Sequence, residues 1–301
     1  RNNPQTAADL LGQTGTVFIQ KSQLGGGSPM IRGFATNRIL LVIDGVRMNN
    51  AIYRSGNLQN IISIDALGTQ TAEVIFGPGS LIYGSDAIGG VMDFHSLNAG
   101  FSKDKKMLVS GSALARYSTA NKENTFHADI NLGFKRWSLL SSVTYSKFDD
   151  LKMGKHGGQS SYLRPEYVER INGIDSIVKN SNSRIQRFSG YEQINFLQKI
   201  RYKPTEHFDI QYSFTYAGTG NAPRYDRLIQ YRSGKLRFAE WNYGPMLWRM
   251  HNLQMLHSKK NILYDDLRVT VAYQNYDESR IDRTRASNNR NIQAEKVNAI
   301  S

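Results

Sequence analysis

The chain changes its hydrophobic rhythm part-way along. Beyond residue 105, apolar and polar positions alternate one by one. Phe126, Ala128, Ile130, Leu132 and Phe134 alternate with Thr125, His127, Asp129, Asn131 and Gly133. Phe208, Ile210, Tyr212, Phe214 and Tyr216 alternate with Asp209, Gln211, Ser213 and Thr215. Leu267, Val269, Val271 and Tyr273 alternate with Arg268, Thr270 and Gln274, and residues 137–145 and 193–202 follow more weakly. A period of two gives a strand one apolar and one polar face. Each stretch is about 10–12 residues, the length at which a tilted strand crosses a bilayer.

The connections carry a second pattern. Residues 135–136, 204–206 and 259–261 read as tight turns. Residues 149–189, 219–245 and a segment beginning near Asp277 read as long loops, with the short 120–123 on their side. Short turns at one end and long loops at the other suit a membrane β-barrel. Tyr117, Trp137, Tyr145, Phe148, Tyr202, Phe208, Tyr216, Trp248, Tyr264 and Tyr276 lie near strand ends, as interfacial girdles would. A soluble sandwich with one wet face explains the alternation equally well and the other two features less well.

Before residue 99 the chain is built differently. Short apolar runs (17–19, 39–43, 72–76, 91–94) are separated by glycines. Such runs bounded by turn residues predict short strands. Residues 6–11 and 80–87 suit short helices. The expected unit is a small α+β domain over 1–98, followed by barrel strands over 99–301.

Charge sharpens that division. The 301 residues carry 38 basic against 25 acidic side chains, a net +13. Residues 1–98 hold six of each sign, so the whole excess falls later; only six of the 32 aromatics precede residue 99. There is no cysteine, which removes disulfides and thiolate metal sites. Mean hydropathy is −0.48 and the longest apolar run is residues 39–43, far short of the roughly 18 residues of a spanning helix. Enzyme signatures are missing: there is no P-loop lysine after the 84–90 glycines, no His-Glu-x-x-His and no Gly-x-Ser-x-Gly. The expectation is a non-enzyme with no cofactor and no metal site. A basic nucleic-acid-binding β-protein remains a remote alternative. Its cations would form one stripe, whereas these are spread strand by strand, so no nucleic acid is expected.

Two long motifs then narrow the choice. Ile31-Arg32-Gly33, Asn37-Arg38 and Leu40-Leu41-Val42-Ile43-Asp44-Gly45-Val46-Arg47 form the first. The second runs from Ala72-Glu73-Val74-Ile75-Phe76-Gly77-Pro78-Gly79 through Tyr83-Gly84 to Gly89-Gly90-Val91-Met92. In this order they resemble the plug domain of TonB-dependent outer-membrane receptors, over about residues 9–96. Phe76 stands where many members carry Arg. Met92-Asp93-Phe94-His95 is similar to receptors of the Bacteroidetes type. Physically, Asp44-Gly45 suits a tight turn and Gly77-Pro78-Gly79 a strand stop before a short helix. Arg32 and Glu73 suit ion pairs, either from plug to barrel wall or within the plug.

The resemblance implies a barrel of 22 strands in the outer membrane and active transport energised by the TonB–ExbB–ExbD complex. It implies a large scarce ligand, a ferric siderophore or haem first, with cobalamin, an oligosaccharide or a peptide as alternatives. It places ligand-facing plug loops at 23–29 (Gln23), 34–37 (Phe34, Asn37) and 48–57 (Met48, Asn49, Asn50, Tyr53, Arg54). In the barrel, residues 221–228 and 239–245 supply Arg224, Tyr225, Arg227, Trp241 and Tyr243, residue types that dominate binding hot spots. A self-packed loop is the alternative there. His156, in a long loop with Tyr162, is a candidate axial haem ligand. Basic loops would draw anionic ligands or pair with lipopolysaccharide. Twenty-two strands of about 11 residues need about 240 residues before any loop. The 203 residues after the plug hold about seven strands by pattern, so the reading is most of a plug plus the first third of a barrel.

Overall fold

The structure is a computed structural model. It describes residues 3–301 apart from 14, 22, 36–37, 49–59, 78, 85–86, 105 and 157–162. The first unit opens with helix α1 (Ala7–Gly12), whose N-terminus is capped by the Thr6 side chain accepting from the Asp9 amide. Strands β1 (Phe18–Gln20) and β2 (Ser28–Met30) pair antiparallel. Strands β3 (Ile39–Ile43), β4 (Val46–Arg47), β5 (Thr69–Phe76) and β6 (Gly90–Ser96) form one sheet in the order β4-β3-β6-β5, with β3 and β6 parallel. All five residues of β3 are buried, which explains its unbroken apolar run. Asp44 and Gly45 both have positive φ, 47° and 76°, as the hairpin turn joining β3 to β4 requires. The helix expected over 80–87 is only α2 (Ser80–Tyr83); the chain leaves it at Gly84 with φ 83°.

The second unit is one antiparallel meander. Strands β7 (Leu108–Ser118), β8 (Glu123–Gly133) and β9 (Trp137–Phe148) lead into a loop carrying the hairpin β10 (Glu166–Ile171) and β11 (Ile174–Lys179). Strands β12 (Tyr191–Thr205) and β13 (Phe208–Thr219) follow, then the short β14 (Ala222–Pro223), helix α3 (Tyr225–Leu228), β15 (Tyr231–Arg232) and β16 (Lys235–Leu236). The long strands β17 (Phe238–His257), β18 (Leu267–Thr284) and β19 (Asn291–Ile300) complete the wall. Its order is β7-β8-β9-β12-β13-β17-β18-β19, with β14 alongside β17.

Eight long strands stand where about seven were expected. The eighth is β19, which lies in the stretch from near Asp277 read as a loop; the start of that stretch continues β18 to Thr284 and pairs with both β17 and β19. Residues 239–245 likewise belong to β17, whose pairing with β18 shifts register twice before Met246. The 258–266 connection is longer than the tight turn expected there, and 285–290 is shorter than a long loop. Loop asymmetry is therefore a weaker signal than it looked.

Exposure is the decisive signal. In β8, Phe126, Ile130 and the following Phe134 are exposed, while Thr125, His127 and Asn131 are buried. Val143, Ile194, Val269 and Val271 are exposed; Ser142, Asn195, Ser213, Asn252 and Gln274 are buried. An apolar outside and a polar inside invert a soluble sandwich and match a barrel wall. Trp137, Tyr145 and Tyr117 point outward as girdle residues would. Phe148, Trp248 and Tyr276 do not: they are buried on the inner face, Trp248 and Tyr276 against the plug and Phe148 in a cluster at the loop end.

Candidate functional site

The plug and the wall share one core. Ile43, Met48 and Phe94 of the plug cluster with Ala217, Trp248, Met250, Ala272 and Tyr276 of the wall. Around it, wall amides reach backbone carbonyls that no plug strand uses. Asn252 Nδ2 and Gln254 Nε2 both donate to the Asp44 carbonyl, and Gln274 Nε2 donates to that of Arg47 at 2.8 Å. Gln193 Nε2 donates to Ile62 O at 2.7 Å and Asn195 Nδ2 to Ser63 O at 3.2 Å. Thr144 Oγ1 donates to the Asp65 carboxylate at 2.6 Å. Buried carbonyls need donors, and here the polar face of the wall supplies them.

One ion pair and one set of charge-assisted hydrogen bonds fasten the plug more firmly. Asp44 accepts from the Ser96 amide and hydroxyl and lies 3.2 Å from Lys199 Nζ of β12. Both side chains are buried, Lys199 at 1% exposure. At the other end of the plug, Glu123 is fully buried and pairs with Arg116 at 2.6 Å. Gln5 donates to that carboxylate, and Arg116 donates to the carbonyls of Asn3 and Pro4. The plug-to-wall ion pair thus falls to Asp44. Among the described residues Arg32 and Glu73 form no ion pair; the Arg32 guanidinium lies 5.3 Å from the centre of the Phe76 ring. Sequence reasoning missed Lys199, Gln193, Asn195, Asn252, Gln254 and Gln274. The available signal was that each sits on the polar side of an alternating strand.

The glycine motif is packing. A Cβ on Gly89 would stand 2.4 Å from Phe34 Cβ and 2.9 Å from Arg38 O, and one on Gly90 2.6 Å from Ile75 O. Tyr83 OH donates to Asp93, whose carboxyl burial holds above the usual carboxylate range. Gly33, Gly77 and Gly84 all have positive φ.

The expected ligand residues divide. Asn37, Asn49, Asn50, Tyr53, Arg54, Pro78 and Tyr162 lie outside the described residues. Met48 is a correction: its side chain is buried in the shared core and cannot face a ligand. Gln23 is buried, with neither amide atom hydrogen-bonded among the described residues. Phe34 is half-buried against the plug core. Arg224 is a second correction. It makes a two-pronged bond to Asp226, donates to Tyr243 OH at 2.8 Å and lies over the rings of Trp241 and Tyr243. Arg224 and Tyr243 therefore form an interlocked, buried support rather than a presented surface, with Trp241 packed on it at the edge of a cavity. Arg227 and Tyr225 remain partly exposed beside it. His156 is exposed.

At the loop end of the wall lies a cavity of about 800 Å³, within the range of roughly 300–1,000 Å³ usual for small-ligand sites. Its walls come from β9, β12, β17 and the β10–β11 hairpin, including Lys147, Glu169, Glu192, Glu240, Trp241 and Arg283. The hairpin is docked by Asp175, which accepts two bonds from the Arg283 guanidinium and one from the Ala286 amide. The Arg283 bonds hold its carboxyl below the usual range.

Comparison with known proteins agrees with this architecture. Residues 1–91 match the family model described as TonB-dependent Receptor Plug Domain. The chain carries a TonB-dependent receptor plug followed by strands of its barrel. It is 27% identical over 258 residues to the Vitamin B12 transporter BtuB of Vibrio vulnificus strain YJ016, covering 81% of this chain and 36% of that one. It is 33% identical over 95 residues to the Hemin receptor of Yersinia pestis, covering 31% and 14%. The structure of the Copper transporter OprC superposes with a TM-score of 0.67 at 14% identity, covering 93% of this chain and 36% of that one. At that identity the likeness concerns the fold. The chain spans about a third or less of the length of these relatives, and their names describe transporters and receptors, not enzymes.

Proposed function

We propose that this chain serves TonB-dependent uptake of a large scarce ligand across the outer membrane, with residues 1–98 as the plug and 99–301 as barrel wall. The observation that carries the reading is the plug–wall interface. A folded domain sits against the polar face of a wall whose opposite face is apolar. Half of its polar fastenings are amide-to-carbonyl bonds, each worth about 1 kcal/mol because water can replace them. Such an interface closes a pore and can still be rearranged by an external pull, which the TonB–ExbB–ExbD complex would supply. The loop end would face the exterior, beside lipopolysaccharide.

For the ligand we propose a ferric siderophore or haem. The net charge, all of it after residue 98, and the similarity to a hemin receptor support this. Cobalamin is the second reading, favoured by the similarity over 258 residues to a B12 transporter. Growth of cells carrying the full-length receptor on single iron sources, with and without TonB, tests the first reading. Growth independent of TonB overturns active transport. Binding of cobalamin, with no iron chelate bound, selects the second ligand.

A further inference from the structure

Among the described residues, the buried lysine and arginines have carboxylate partners, with one exception. Lys199 pairs with Asp44, Arg224 with Asp226 and Arg283 with Asp175. Arg164, just before β10, is 3% exposed and has no carboxylate within ion-pair distance among the described residues. Its Nη1 donates to the Arg187 carbonyl, its Nε donates to that of Glu166 at 3.4 Å, and its guanidinium carbon lies 5.1 Å from the centre of the Tyr225 ring. Carbonyls and a ring face carry only partial charge. A full charge held out of water with no carboxylate in contact is costly, so the site can take an anion directly against it. Burial pulls the Arg164 pKa below its ordinary value, and the Asp150 carboxylate, beyond ion-pair distance, offsets this only in part.

Arg164 also lines a cavity of about 190 Å³. That is room for about six waters at roughly 30 Å³ each. Pro165, Ile229 and Leu236 give its lining apolar surface, and Arg164, Gln186 and Tyr225 give it polar groups. Glu166 lines it too, but its carboxylate accepts the Tyr231 hydroxyl at 3.0 Å and is occupied. A guanidinium fork matches a carboxylate in two-pronged geometry, and an apolar wall beside it suits a flat ring.

We propose that this cavity at the base of the β10–β11 hairpin binds an aromatic carboxylate, with Arg164 as its counter-ion and the apolar wall against its ring. The proposal does not depend on the uptake reading. The test is calorimetric titration of the full-length receptor, purified in detergent, with benzoate, its neutral analogue benzamide, and inorganic phosphate. Benzoate should bind, and benzamide at least about tenfold more weakly. Arg164→Gln should abolish benzoate binding, and Arg164→Lys, which keeps the charge, should retain part of it. Limited proteolysis of the hairpin establishes that both variants stay folded. No benzoate binding to the unaltered receptor, or equal binding to Arg164→Gln, overturns the site. Phosphate binding as tight as benzoate overturns the aromatic component. Loss of TonB-dependent growth effects with benzoate binding intact would refute uptake and leave this site standing.

Discussion

Replacing Lys199 by Met should loosen the plug without unfolding the wall. Lys199 Nζ lies 3.2 Å from the Asp44 carboxylate, with both side chains buried. Removing one member of a buried pair costs about 3–5 kcal/mol, since the other charge stays out of water. Asp44 would still accept from the Ser96 amide and hydroxyl, which places the cost at the lower end, about 3 kcal/mol. At about 1.4 kcal/mol per decade, that is about a hundredfold in the local opening constant. Native-state hydrogen exchange reads it directly. Amides of β3 and β6 should exchange about a hundredfold faster, while those of β9 should not change. The double variant Asp44→Asn with Lys199→Met removes both charges and should recover to within about tenfold of the parent. If the single variant changes β3 and β6 by less than about threefold, the pair does not fasten the plug and the reasoning fails.

Three further outcomes follow from other parts of the structure. Gly89→Ala should destabilise the plug by about 1–3 kcal/mol, because its Cβ meets the Arg38 carbonyl at 2.9 Å and backbone must move; urea unfolding of plug amides checks this, with Gly33→Ala, which has open space, as the milder comparison at about 1 kcal/mol. Val143→Lys, on the exposed apolar face of β9, should cost about 2–4 kcal/mol at mid-bilayer depth, seen as loss of the heat-modifiable folded band on gels, whereas Val143→Leu should be silent. Asp175 has its pKa lowered by Arg283, so its contribution is present above the ordinary value of 3.8 and is lost as pH falls through the folded value. Hairpin protection in exchange should therefore hold at pH 5 and above and fail only below about 3.8; loss already at pH 6 would contradict the assignment.

Much of the fold was legible because strand periodicity is a local property. The alternation through Phe126–Phe134 needed no knowledge of neighbours, and the structure turns Phe126 outward and Thr125 inward as period two demands. The glycine motifs were legible for the same reason, since positive φ at Gly45 and Gly77 is a backbone requirement of single residues. The extension of β17 and β18 above the bilayer was not, because pairing there depends on β17–β18 register, with bulges that no sequence rhythm marks. Nor was the fate of Arg224. Arg224, Trp241 and Tyr243 are residue types that bind ligands and also residue types that lock loops, and only their mutual contacts separate the two.

The plug fastening shows the same limit and points to how such a plug can move. Arg32 and Glu73 looked suited to ion pairs because they stand in a recognisable motif, yet the buried pair uses Asp44, which the motif already explained as a turn residue. One residue does both jobs. Its positive φ aims its carbonyl at Asn252 and Gln254, while its side chain meets Ser96 and Lys199. The hairpin end is thereby the most heavily tied point of the β3–β6 sheet. The contacts at residues 60–68 are weaker: single amide bonds of about 1 kcal/mol each at Ile62 and Ser63, and one hydroxyl bond from Thr144 to the Asp65 carboxylate. A pull transmitted through the chain would therefore release those contacts before the Asp44 anchor, so rearrangement should begin around residues 60–68 and leave β3 and β6 in place. Exchange under load, or with a cross-link from residue 44 to residue 199, separates the orders: a cross-link that blocks all rearrangement would show that the anchor must open first.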